Sequence, residues 1–169
     1  CSVLFSDMRD FTGLSERLTP NDLIAFINRY MTMMVTLVTE QGGMVNKFGG
    51  DSLLAIFGTP LNPADDHAAR AVRTALAMRD RLIQFNDEQA RAGAPVIRIG
   101  IGIATGSVVA GNVGSAERIE YTVLGDTVNL AARLEQKTKD LGCDILLSET
   151  TCNAAREKIT FKAELLTGV

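Results

Sequence analysis

Met44-Val45-Asn46-Lys47-Phe48-Gly49-Gly50-Asp51-Ser52-Leu53-Leu54-Ala55-Ile56-Phe57 reads as two strands folded back on each other. Apolar residues flank a Phe48-Gly49-Gly50-Asp51 turn, and paired glycines suit the sharp reversal of a hairpin running from Met44–Lys47 into Ser52–Phe57. Outward on either side lies a helical pattern. Upstream, Leu23, Ile27, Tyr30, Met31, Met34, Leu37 and Val38 recur at helical spacing until Gly42-Gly43 stops them. Downstream, Ala68, Ala71, Val72, Ala75, Leu82 and Ile83 do the same, ending near Gly93 and Pro95. Thr19-Pro20-Asn21-Asp22 and Asn62-Pro63-Ala64-Asp65 each place a capping residue before proline and an acid two further on, which predicts two helix starts.

Strands close the pattern at both ends: Cys1–Phe5 before the first helix, and Val96–Ala104, alternating around Arg98, Gly100 and Gly102, after the second. The order strand, helix, two strands, helix, strand predicts an α+β fold with a ferredoxin-like, palm-like βαββαβ core. Additions follow it. A glycine-spotted segment, 105–120, leads to a strand at Tyr121–Leu124 and a helix over Thr127–Leu141; strands are expected at Asp144–Leu147 and Ile159–Leu166, with a short helix from about Glu149 between them.

The chain has 169 residues, 46% of them hydrophobic, enough for one core, and it reads as a single domain over 1–169. Seventeen Lys and Arg against twenty Asp and Glu argue against a nucleic-acid partner, so any phosphate chemistry is local. Cys1, Cys143 and Cys152 are odd in number and lack metal-like pairing, as expected of a reducing, cytoplasmic setting. The most apolar run, Met31–Val38, falls far short of the roughly 20 residues of a membrane span, so this domain is expected to make no direct membrane contact, without excluding a tethered parent. Beginning without Met in a strand-like run, the chain is expected to be cut from a longer protein at both ends.

Chemistry-bearing residues fall in three places. The first strand delivers Asp7, then turns through Met8-Arg9-Asp10 into Phe11-Thr12-Gly13, where a helix start can offer N–H groups to phosphate oxygens. Alone, Asp7 would be an acid at a strand end. The hairpin, however, lies beside the first strand in this topology and brings Asp51 close, and two facing carboxylates suit a hard cation such as Mg²⁺. By itself Asp51 is a turn residue after Gly-Gly. Asn129 and Arg133, four apart, share a helix face that can grip a ribose and a phosphate, or is simply a polar surface.

Phe5-Ser-Asp7-Met-Arg-Asp-Phe11-Thr12, Val45-Asn-Lys47-Phe-Gly-Gly-Asp51, and Ala110-Gly-Asn-Val-Gly114 through Tyr121-Thr-Val-Leu-Gly-Asp-Thr-Val-Asn-Leu-Ala-Ala-Arg133 resemble, in order and spacing, the blocks of class III adenylyl and guanylyl cyclases. The resemblance implies an adenylyl cyclase that converts ATP to 3′,5′-cyclic AMP and pyrophosphate by attack of the ribose 3′-oxygen on the α-phosphorus. It implies two divalent cations, Mg²⁺ or Mn²⁺, held by Asp7, Asp51 and the Met8 carbonyl. Phe11 and Thr12 would flank the substrate polyphosphate, and Lys47 and Thr122 would read the base. Asn129 and Arg133 would orient the ribose and stabilise the transferring phosphate. Metal aspartates from one chain and base-reading and phosphate-stabilising residues from another imply a homodimer with two sites, gripped by the segment 108–120.

Lys47 and Thr122 suit adenine, whereas guanylyl cyclases usually carry glutamate and cysteine there. Threonine at that place also resembles the bicarbonate-responsive subclass. The remaining alternatives are a guanylyl cyclase, a diguanylate cyclase, disfavoured because Gly49-Gly50-Asp51-Ser52 lacks a following acid, and a silent nucleotide-sensing or dimerisation module. Two departures stand out. Asp10 occupies a position where the family commonly has glycine, and the polyphosphate-holding lysine expected beyond the last strand has no match before Val169, which implies weak binding or slow turnover. His67, the sole histidine, is expected at a surface or capping position, leaving deprotonation to metal, substrate or water.

Overall fold

The computed structural model describes residues 1–166; the last three residues of the predicted domain lie outside that span. β1 (Ser2–Met8) occupies the middle of a five-stranded sheet, antiparallel to β3 (Ser52–Phe57) on one side and β4 (Ile99–Thr105) on the other. β2 (Met44–Gly49) lies outside β3, and β7 (Ile145–Leu147) runs parallel to β4 at the opposite edge. A separate ribbon pairs β5 (Val109–Gly114) with β6 (Ile119–Leu124). This is the expected α+β architecture.

Alternation along the strands divides the helices between two faces. Leu4 and Met8 of β1, Leu53, Ala55 and Phe57 of β3, and Ile99, Ile101 and Ile103 of β4 pack against α2 (Pro20–Glu40) and α3 (His67–Arg91). Here Phe26 meets Phe85 edge to face, ring centres 5.7 Å apart. The opposite face carries Val3, Leu54 and Ala104 against Ala131 of α4 (Asp126–Leu141). On that second face Phe5 and Asp7 of β1 are only half-buried, so α4 leaves part of the floor open. α1 (Phe11–Ser15) and α5 (Glu149–Arg156) complete the helices of the described residues.

Local chemistry explains which boundaries match expectation. Thr19 caps α2, its hydroxyl accepting the Asp22 amide, with Pro20 in the first turn. The second proline signal does not start a helix. Asn62 instead forms a turn with Thr59 and donates to the Gly42 carbonyl, while α3 begins at His67; Asp66, which precedes it, pairs with Arg70 and Arg73 instead of capping. β4 begins three residues later than expected because the Asn86 side chain takes both the amide and the carbonyl of Ile97 out of the ladder.

The strand expected over Ile159–Leu166 does not form. Ile159 and Phe161 satisfy their apolar periodicity by packing onto the α2/α3 core, Arg156 stacks over the Phe161 ring, and the segment makes no ladder with β7.

Candidate active site

β1 and the β2–β3 turn deliver two acids to one end of the sheet. Ser6 pairs with Leu53, so Asp7 stands beside the turn that carries Asp51, close enough for the Asp51 charge to act on Asp7. Burial lifts both above the usual carboxylate range; the charge of Asp51 raises Asp7 further, against a donated Met8 amide that lowers it. Met8 itself is buried, with its amide against the acid it was expected to assist. Two half-buried oxygen donors that resist ionising together fit a hard divalent cation, with phosphate oxygens and water to complete its shell. Among the described residues no third Asp, Glu, His or Cys joins them in a metal-ligand cluster.

The floor beneath this pair is more charged than expected. Glu135 of α4, 3% exposed, meets Arg9 at 3.5 Å, and Arg9 also donates to Thr138. Burial first, then the charge of Asp7, pushes the Glu135 carboxyl up to about 6. Behind β1 the Tyr30 side chain is buried, and burial raises its pKa strongly. The helical stripe gave Tyr30 as core, but nothing in the spacing of Arg9 and Glu135, more than a hundred residues apart, announced their pairing.

Asp10 adopts a left-handed conformation, φ 55° and ψ 36°, just before α1. This accounts for the departure noted at that position: glycine enters this region freely, and aspartate is among the side chains that tolerate it best. α1 follows as a single short helix with Phe11 half-buried and Thr12 exposed, placing both beside the Asp7 end of β1.

One base-reading candidate is held by the sequence neighbour of the other. Lys47 is exposed on β2, and Thr122 of β6 is buried at 4% exposure. Asn46, next to Lys47 on β2, donates from Nδ2 to the Tyr121 carbonyl at 2.8 Å and accepts the Thr122 hydroxyl at 3.1 Å. Asn46 sits where the β2–β3 register shifts, Val45 facing Ala55 and Lys47 facing Leu54. Such a bulge breaks strict alternation and re-aims a side chain. Nothing in the Val45-Asn46-Lys47 sequence marks Asn46 out, although it stands beside Lys47.

Asn129 and Arg133 are both exposed on α4. Within one chain Asn129 stands away from the acids, while Arg133, two residues before the buried Glu135, points from the opposite side of the helix. Glu135 and Thr138 lie against Gly100, the register partner of Asp7, whereas Thr127 lies against Gly106 at the other end of β4. Asn129 is therefore displaced by roughly 10 Å of helix toward the far end. His67, expected at a surface or capping position of a helix start, is the first residue of α3 and half-buried, its Nδ1 bonded to the Ser2 hydroxyl at 2.9 Å, and burial lowers its pKa.

Residues 1–166 match the family described as Adenylate and Guanylate cyclase catalytic domain. The chain belongs to this family. The cyclase domain is 38% identical over 162 residues to adenylate cyclase 1 of Rhizobium meliloti (strain 1021), a match covering 95% of this chain but 24% of that relative. It thus spans about a quarter of that relative's length. Among solved structures it superposes on a guanylyl cyclase with TM-score 0.85 and 36% identity, covering 99% of this chain and 85% of the other. It superposes equally well, TM-score 0.85 and 34% identity, on the adenylyl cyclase CyaB from P. aeruginosa, covering 94% and 81%. The same fold is thus found in solved proteins of both printed specificities. Among the described residues no helix is long and apolar enough to cross a membrane.

Proposed function

We propose that this domain is an adenylyl cyclase, converting ATP to 3′,5′-cyclic AMP and pyrophosphate at sites shared between two copies of the chain. The observation that carries this is the approach of Asp7 to Asp51 beside the half-open face of the sheet, with the exposed Asn129 displaced along α4 toward the far end of β4 in the same chain. A two-fold partner would supply the missing half. The ribbon of β5 and β6 offers it a grip, since Val109, Val113, Ile119 and Leu124 are all exposed apolar side chains.

In this reading Asp7, Asp51 and the Met8 carbonyl hold two divalent cations, Mg²⁺ or Mn²⁺. Bound there, the cations supply charge neutralisation of the polyphosphate and acidify the attacking 3′-hydroxyl. Phe11 and Thr12 border the polyphosphate. Asn129 holds the ribose so that its 3′-oxygen faces the α-phosphorus, and the Arg133 guanidinium takes up charge on the phosphoryl oxygens as pyrophosphate departs. Lys47 donates to a ring nitrogen of adenine and Thr122 accepts from its amino group. The same threonine motivates bicarbonate stimulation, measured as turnover at fixed pH; unchanged turnover removes that reading.

The test is chromatographic resolution of products from ATP and from GTP with Mn²⁺ or Mg²⁺. Cyclic AMP formed preferentially supports the assignment. Cyclic GMP from GTP in preference would make it a guanylyl cyclase, and metal-dependent nucleotide binding without cyclic product would make it a silent binding module.

A further inference from the structure

We infer that Asn46 is a positioning residue for base selection, fixing the Thr122 hydroxyl as an acceptor so that the site takes a 6-amino purine and refuses a 6-oxo purine. The inference rests on the reading of Thr122 as a base contact. A threonine hydroxyl has one proton and two lone pairs, so alone it could donate to the guanine 6-oxygen as readily as accept from the adenine 6-amino group. Asn46 removes that ambiguity. Its Nδ2 donates to the Tyr121 carbonyl at 2.8 Å, an atom that can only accept, which leaves Oδ1 facing Thr122. At 3.1 Å from that oxygen, Thr122 must spend its proton on Asn46, and only lone pairs remain for a ligand.

An adenine amino group finds an acceptor there. A guanine oxygen would set lone pair against lone pair at a residue 4% exposed, where water is poorly placed to relieve the mismatch. The β2 bulge is the backbone device that serves this, since the register shift between Val45 and Lys47 frees Asn46 from strict alternation beside Lys47.

The experiment measures kcat/KM for ATP and GTP in competition, on the whole domain and its Asn46→Ala, Asn46→Asp, Thr122→Ala and Asn46→Ala/Thr122→Ala variants. Asn46→Ala frees the Thr122 proton and should lower the ATP:GTP ratio about tenfold, chiefly through KM. Asn46→Asp keeps an acceptor toward Thr122 and should hold the ratio within about threefold of the parent, whatever it does to overall turnover. On the Thr122→Ala background, Asn46→Ala should change the ratio no further. If Thr122→Ala shifts the ratio but Asn46→Ala lowers both nucleotides equally, Asn46 only braces the ribbon and the inference fails while the base-reading assignment stands. If Thr122→Ala leaves the ratio unchanged, that assignment fails and takes the inference with it.

Discussion

Gly102 of β4 lies directly beneath the backbone of α4, so that a Cβ built there would overlap the Ala131 carbonyl oxygen and the Glu135 amide. The helix that carries Asn129 and Arg133 is thus seated on the sheet backbone itself, and its height is set by a missing side chain. Gly102→Ala should lift α4, lower stability by about 2–3 kcal/mol and reduce turnover more than nucleotide affinity. Denaturant melts and steady-state kinetics check it; an unaltered kcat would show that the helix need not be held so closely.

Asp7 and Asp51 are both pushed toward their protonated forms by burial, and Asp7 also by its neighbour's charge, so without a bound cation the pair opposes folding at neutral pH. Asp7→Asn should therefore leave metal-free thermal stability equal or higher while removing activity by several orders of magnitude. Mn²⁺ should raise the melting temperature of the parent and not of the variant. A parent melting temperature indifferent to Mn²⁺ would count against the metal assignment.

Glu135 binds its proton more tightly folded than unfolded, at about 6 against an ordinary 4.5. Stability of the metal-free protein should consequently fall as pH rises between those values, by on the order of 2 kcal/mol from this group. Glu135→Gln should flatten that segment of the stability profile. Chemical denaturation between pH 4 and 8 decides; parallel profiles for parent and variant would contradict it.

Asp10→Gly relieves a positive φ at the loss of an exposed contact, Asp10 to Arg17 at 3.6 Å. We expect stability unchanged or raised by up to about 1 kcal/mol, with activity retained, as read from thermal melts and turnover. A marked loss of turnover would show that the Asp10 carboxylate serves the site.

Much of this fold was legible because its signals are local. The Gly49-Gly50-Asp51 turn, the Thr19-Pro20 cap and the apolar stripes each specify their element within a few residues, and the strand order they imply is what sets Asp7 beside Asp51. What escaped depends on partners distant in sequence. Asn86 claims the Ile97 backbone and shortens β4, Ile159 and Phe161 pack instead of pairing, and Arg9 finds Glu135 across the sheet. Asn46 escaped for a subtler reason: strict alternation sends neighbours to opposite faces, and a bulge that breaks it leaves no mark in the composition of Val45-Asn46-Lys47.

Mixing two inactive variants tests most directly whether two copies of this chain build each cyclic AMP-forming site. Asp51→Ala and Asn129→Ala, each inactive alone, should together recover up to about a quarter of parental cyclic AMP synthesis, because random pairing makes half the dimers mixed and each mixed dimer has one intact site. No cyclic AMP from a mixture shown to contain folded mixed dimers would contradict the shared site.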